Sequence, residues 1–288
     1  MPTVLQYVEA VTMTTVLPFY VLGRLATSFF TTERSKTWRA VCIHALFRFV
    51  AGHTAYIKLI SAPTLDTYTK WTKKIELSPT IDELPEGAKL LWIGKKRVDK
   101  VLLYAHGGVY QFGCGPSFMQ FFRYLQLELE KRDIHIGIAI LAYRLIPDAV
   151  YPSQLIDAQQ ALDKLLSAGV DPQNLVLAGD SAGGNLIFQI FSHILHPRPD
   201  VPEYPRPQTP FLGALLISPW VCLGGDESFN INDPYDVTTA RAFRSWGNTV
   251  LQHADAQFVD PVGFGAPKNW FNGIHEFVGK VLVTSGAK

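Results

Sequence analysis

The sequence predicts an α/β fold with a mostly parallel central sheet, and two observations predict it. Runs that are apolar throughout, at 101–105, 136–142, 175–178 and 212–217, with a last strand at 280–284, alternate with stretches of helical periodicity. Strands buried on both faces of a parallel sheet read as continuously apolar rather than alternating. Two glycine-containing turns each follow such a strand directly, and open sheets of this kind bind ligands at the carboxyl ends of their strands. With 288 residues, 48% hydrophobic and 18% charged, the chain can bury a sizeable core and does not have the composition of a disordered one.

Taken in order, residues 1–62 read as apolar helices separated by polar turns. Residues 68–75 and 89–93 are expected as short strands, joined by a turn-rich connection at 77–87. The strand at 101–105 ends in His106-Gly107-Gly108. Pro116 and Ser117 then open a helix whose Phe118, Met119, Phe121, Phe122 and Leu125 fall at helical spacing. Residues 151–168 form a helix with Leu155, Ala158, Leu162 and Leu165 on one stripe, ended by Gly169. Residues 224–276 interrupt the alternation and hold Trp246, Trp270, Phe229, Phe243, Phe258, Phe264 and Phe271. They read either as surface excursions with a small core or as part of a cap. The chain thus divides into an N-terminal segment, 1–62, that is a cap or membrane-associated, and a sheet domain, 63–288, with a cap insertion at 224–276.

The centre of the chain is a strand at 175–178, the turn Gly179-Asp180-Ser181-Ala182-Gly183, and a helix apolar on nearly every face, through Leu186, Ile187, Phe188, Ile190, Phe191, Ile194 and Leu195. This strand–turn–helix context is what a G-x-S-x-G nucleophile elbow requires, with small residues around a serine lifted off the sheet. The helix N-terminus there favours developing negative charge. The other reading is an ordinary glycine-rich turn. His106-Gly107-Gly108 weighs against that, because an HGG-type loop supplies backbone N–H groups to an oxyanion hole. The His106 side chain itself reads as structural, fixing the loop.

The chain resembles the hormone-sensitive-lipase-like branch of the α/β-hydrolase fold-3 family, which includes arylacetamide deacetylases and fungal steryl acetyl hydrolases. The resemblance rests on His106-Gly107-Gly108, on Gly179-Asp180-Ser181-Ala182-Gly183-Gly184-Asn185, and on Tyr143-Arg144-Leu145, Tyr151-Pro152 and Asp157-Ala158 between them. It implies an α/β-hydrolase fold with a helical cap and a serine carboxylic-ester hydrolase or deacetylase, with Ser181 as nucleophile and the amides of Gly107, Gly108 and Ala182 as oxyanion hole. The aromatic residues of 224–276 and the low charge point to a small apolar ester as substrate, and the resemblance implies a fungal secondary-metabolite deacylase as one such role. In this branch the triad acid follows the strand matching 281–285 and the histidine comes later, so both positions, with a last strand and helix, are expected beyond Lys288. His193, His196, His253, His275, Asp255 and Asp260 read as structural or exposed, and neither acid nor base is assigned. The expectation is a weak enzyme as given; the alternative is an inactive binding or scaffold protein on the same fold.

A net charge of +1 without a long basic run argues against nucleic-acid binding. Cys42, Cys114 and Cys222 form no disulfide framework and no metal-ligand cluster, and no metal or organic cofactor is expected. Residues 10–23 carry no charge but contain Pro18 and fall short of the roughly 20 apolar residues of a membrane span. The segment fits cap helices or membrane-surface association. The widely spaced cysteines fit a reducing compartment, and the resemblance implies a cytoplasmic or endoplasmic-reticulum-associated location. The sequence sets no oligomeric state.

Overall fold

The computed structural model describes residues 4–30, 37–53, 61–204, 207–234, 236–260 and 266–286. The chain forms two compact units, one of residues 1–62 with 223–249 and the other of 63–222 with 250–288.

The larger unit carries a seven-stranded sheet in the order β1-β2-β4-β3-β5-β6-β7, made of β1 (Ile81–Glu83), β2 (Lys89–Trp92), β3 (Val101–Ala105), β4 (Gly137–Ala142), β5 (Leu175–Asp180), β6 (Gly213–Ile217) and β7 (Val281–Thr284). The β1–β2 and β2–β4 pairs are antiparallel and all other pairs are parallel. Every residue of β3 is buried, as its unbroken apolar run requires. The register aligns Ala105 of β3 with Gly179 of β5, and Asp180 with Ile217 of β6. The carboxyl ends of β3, β5 and β6 therefore stand side by side.

One expected strand is a helix. Residues 68–75 fall mostly within a helix at Thr64–Lys74, which buries Thr64, Tyr68, Trp71 and Thr72 at helical spacing. The Tyr68 hydroxyl donates to Trp92 O at 2.7 Å and accepts from Thr80 N at 3.0 Å, tying the helix to the sheet. The aromatic and β-branched composition mimicked strand propensity, while burial followed the helical period. The expected connection at 77–87 contains β1, paired through Ile81 and Leu91.

The remaining helices of this unit flank the sheet at Pro116–Glu130, Ser153–Ser167, Ala182–Leu195 and Ala256–Val259. The Ala182–Leu195 helix buries every residue except Phe188 and Leu195. The second half of the expected 224–276 insertion, from residue 250 on, falls in this unit. Trp270 stacks on His196 at 3.8 Å and donates Nε1 to Ser192 Oγ at 3.0 Å, and Phe271 lies 5.3 Å from Phe188. Phe264 falls outside the described residues.

The smaller unit is helical, with helices at Val4–Thr27, Trp38–Ala51, Glu227–Asn232 and most of Ala240–Leu251. Arg48 joins its two chain segments, donating Nη1 to Asp233 O at 2.6 Å and Asp236 O at 2.9 Å. Phe19, Leu22, Phe29, Phe30 and Trp38 are largely exposed. No described helix is long and apolar enough to cross a membrane.

Candidate active site

Ser181 is the residue between the last residue of β5 and the first of the Ala182–Leu195 helix. Its backbone is at φ 48°, ψ −117°, a strained conformation for a residue with a side chain. Three hydrogen bonds hold it there: Ser181 N donates to Ile217 O at 3.1 Å, and Ser181 O accepts from Trp220 N at 2.8 Å and Asn185 N at 3.0 Å. The turn closes only because Gly183 lacks a side chain, since a Cβ there would stand 1.9 Å from Ala105 O. The same near-contact brings the end of β3 against the start of the helix.

The loop after β3 therefore meets the elbow, and the joining atoms are specific. The Gly107 N–H donates to Asp180 Oδ1 at 2.6 Å, and the Tyr104 hydroxyl donates to the same oxygen. Burial raises the Asp180 carboxyl above its ordinary range, and these two donors partly offset that. The sequence expectation set the Gly107 N–H toward an oxyanion, and here it faces Asp180. A single amide hydrogen given to Asp180 is not available to an oxyanion, so Gly107 is a joint between loop and elbow. Among the described residues, the N–H groups of Gly108, Val109 and Ala182 have no acceptor. Val109 is the one of these three that the sequence reading did not single out. The register accounts for the contact: with Ala105 opposite Gly179, the first glycine after His106 lies near Asp180.

The loop is strained beyond Ser181's turn. Gly108, Val109 and Tyr110 all have positive φ, at 116°, 50° and 62°. Each non-glycine residue in such a conformation costs about 1–3 kcal/mol. Gly108 O accepts from both Gln111 N and Phe112 N at 2.9 Å, which closes the turn.

His106 is buried behind this loop. Its Nδ1 donates to Gly107 O at 2.6 Å, which leaves Nε2 to accept from the Thr64 hydroxyl at 3.0 Å. Its ring stacks on Tyr143 at 4.4 Å, and the Tyr143 hydroxyl donates to His106 O at 2.6 Å. Burial pushes its pKa down to about 4, so the ring is neutral at pH 7.

No described histidine hydrogen-bonds to the Ser181 hydroxyl. His193 Nε2 donates to Pro202 O at 2.9 Å and His196 Nε2 to Trp270 O at 2.8 Å. His253 and His275 are exposed. Asp255 caps the short Ala256–Val259 helix through Gln257 N at 3.0 Å, and Asp260 is buried.

A mostly parallel sheet with a strained serine turn after an interior strand, β5, defines the α/β-hydrolase class. The profile of the alpha/beta hydrolase fold family matches residues 102–275. An acetyl-hydrolase of Streptomyces hygroscopicus is 33% identical over 135 residues, 46% of this chain and 40% of that protein. An arylacetamide deacetylase of Oryctolagus cuniculus is 25% identical over 182 residues, 57% of this chain and 45% of that one. An esterase structure from the bacterial hormone-sensitive lipase family shares the fold at 20% identity, with a TM-score of 0.56 over 87% of this chain and 88% of that one. The chain belongs to the alpha/beta hydrolase fold family. The aligned stretch spans less than half the length of either curated relative.

Proposed function

We propose that this chain carries the nucleophile and oxyanion hole of a serine carboxylic-ester hydrolase or deacetylase acting on small apolar esters. The observation that carries the reading is the strained Ser181 turn, joined to the glycine loop through the Gly107–Asp180 hydrogen bond. In the proposed reaction Ser181 Oγ attacks the acyl carbon and gives its proton to a base. The N–H groups of Gly108, Val109 and Ala182 take the negative charge on the former carbonyl oxygen. Collapse breaks the bond to the alcohol or amine, which leaves with the proton the base took from Ser181. Water, giving a proton to the same base, then attacks the acyl carbon, and the acid departs as Ser181 Oγ regains that proton. A small acyl group fits the likeness to a protein named acetyl-hydrolase.

The test is hydrolysis of p-nitrophenyl acetate and butyrate, with Ser181→Ala as control. With no described histidine on the serine, turnover by the 288-residue chain is expected below about 1 s⁻¹, the lower end of ordinary enzyme rates. It should vanish in Ser181→Ala. Equal hydrolysis by the control would refute the assignment. The same histidine observation favours one second reading, a non-catalytic ester-binding protein. Saturable binding of an ester, with no Ser181-dependent release of p-nitrophenol and no labelling of Ser181 by a fluorophosphonate, would select it.

A further inference from the structure

Val109 is the most unfavourable residue in the glycine loop, since a β-branched side chain at φ 50° is held there only if its surroundings impose it. Its neighbour Tyr110 is the residue the surroundings grip. The Tyr110 hydroxyl donates to Asn185 Oδ1 at 2.7 Å and accepts from Gln189 Nε2 at 2.9 Å, and its carbonyl accepts from Ile146 N at 2.9 Å. Burial raises the phenol well above its ordinary range, so it remains a donor.

Asn185 is fully buried, and every hydrogen-bonding position of its side chain is used. Oδ1 accepts from Gln189 Nε2 at 2.7 Å as well as from Tyr110, while Nδ2 donates to Trp220 O and to Val259 O, each at 2.8 Å. Trp220 N in turn donates to Ser181 O. Asn185 stands one helical turn after the serine, so the helix that begins at the elbow also grips the loop.

We infer that Tyr110 is a positioning residue for the oxyanion hole: the Asn185–Gln189 clamp on its hydroxyl holds Val109 in the left-handed conformation that keeps the Val109 N–H without an internal acceptor. This rests on the hydrolase reading above. The clamp acts on the geometry of a donor and makes no contact with substrate.

Tyr110→Phe removes the hydroxyl and keeps the ring. Its first readout is labelling of Ser181 by a fluorophosphonate, whose developing negative oxygen uses the same donors. The maximal labelling rate should fall about 10²-fold, the scale of a slightly displaced catalytic group, with half-saturating probe concentration within about twofold. Hydrogen exchange of a peptide spanning 106–112 should quicken by up to about tenfold, the effect of one lost hydrogen bond, while exchange across β3 and β5 stays unchanged. Adding Val109→Gly should recover part of the labelling rate, because glycine takes positive φ without help.

An unchanged maximal rate or unchanged loop exchange in Tyr110→Phe overturns the inference. So does a loss shared equally by β3 and β5, which marks a merely structural role. If the unsubstituted chain shows neither Ser181 labelling nor Ser181-dependent hydrolysis, the hydrolase reading fails, and loop exchange alone decides whether the clamp holds the loop.

Discussion

At the scale of single residues, the glycine loop is held from behind by a neutral histidine. His106 has its pKa lowered to about 4 from 6.5 by burial, so the folded state resists protonation that the unfolded chain accepts. Stability from this group is fully present above pH 6.5 and is lost as pH falls from 6.5 to about 4. The loss is expected at about 3 kcal/mol. Melting curves of wild type and His106→Asn between pH 7 and 4 check this: the gap between them should shrink by that amount, and a constant gap contradicts it. Gly183→Ala tests the elbow separately. Its Cβ would overlap Ala105 O at 1.9 Å, a backbone atom that cannot swing aside. The expected cost is about 3 kcal/mol or more by urea unfolding. Ser181, Gly183 and His106 were legible in the sequence because their types are dictated by the turn and the strand end. Val109, Tyr104 and Tyr110 were not, because their roles come from contacts between segments about 75 residues apart.

At the scale of elements, burial on both faces made β3, β4 and β5 plain as short, continuously apolar runs. The helix at Thr64–Lys74 shows the converse. Four threonines, a tyrosine and a tryptophan give it strand-like composition, and only the spacing of Thr64, Tyr68, Trp71 and Thr72 marks it as a helix. Its attachment depends on Tyr68, so Tyr68→Phe, which deprives Trp92 O and Thr80 N of their partner, is expected to lower stability by about 1–3 kcal/mol. Equal urea midpoints would show that water replaces the hydroxyl. The helices at Val4–Thr27 and Trp38–Ala51 present a different surface, with Phe19 72% and Trp38 63% exposed. Exposed apolar side chains on a helix bind lipid interfaces in proportion to the area they bury. Sedimentation with phosphatidylcholine vesicles should fall in a Phe19→Ser, Leu22→Ser variant; equal sedimentation would assign those side chains to another contact.

At the scale of the molecule, β7 ends the strand order. Among the described residues it pairs with β6 alone, and Val281, Leu282 and Val283 are 46%, 59% and 52% exposed. An exposed apolar edge strand is a template for pairing with another chain, and lysine on such an edge suppresses it. Val283→Lys is therefore expected to reduce self-association in light scattering without lowering the melting temperature; unchanged association would place the contact elsewhere. The division into units has a consequence of timing. The Trp38–Ala51 helix is fastened by Arg48 to Asp233, a residue 185 positions later in the chain. A ribosome adding roughly 5–20 residues per second needs about 10–40 s to cover that interval. For all of it the apolar N-terminal helices have emerged and their fastening has not been made. The demand on chaperones during synthesis thus falls on the first helices to appear, while the sheet, whose β3, β4 and β5 follow one another closely, can form on its own schedule.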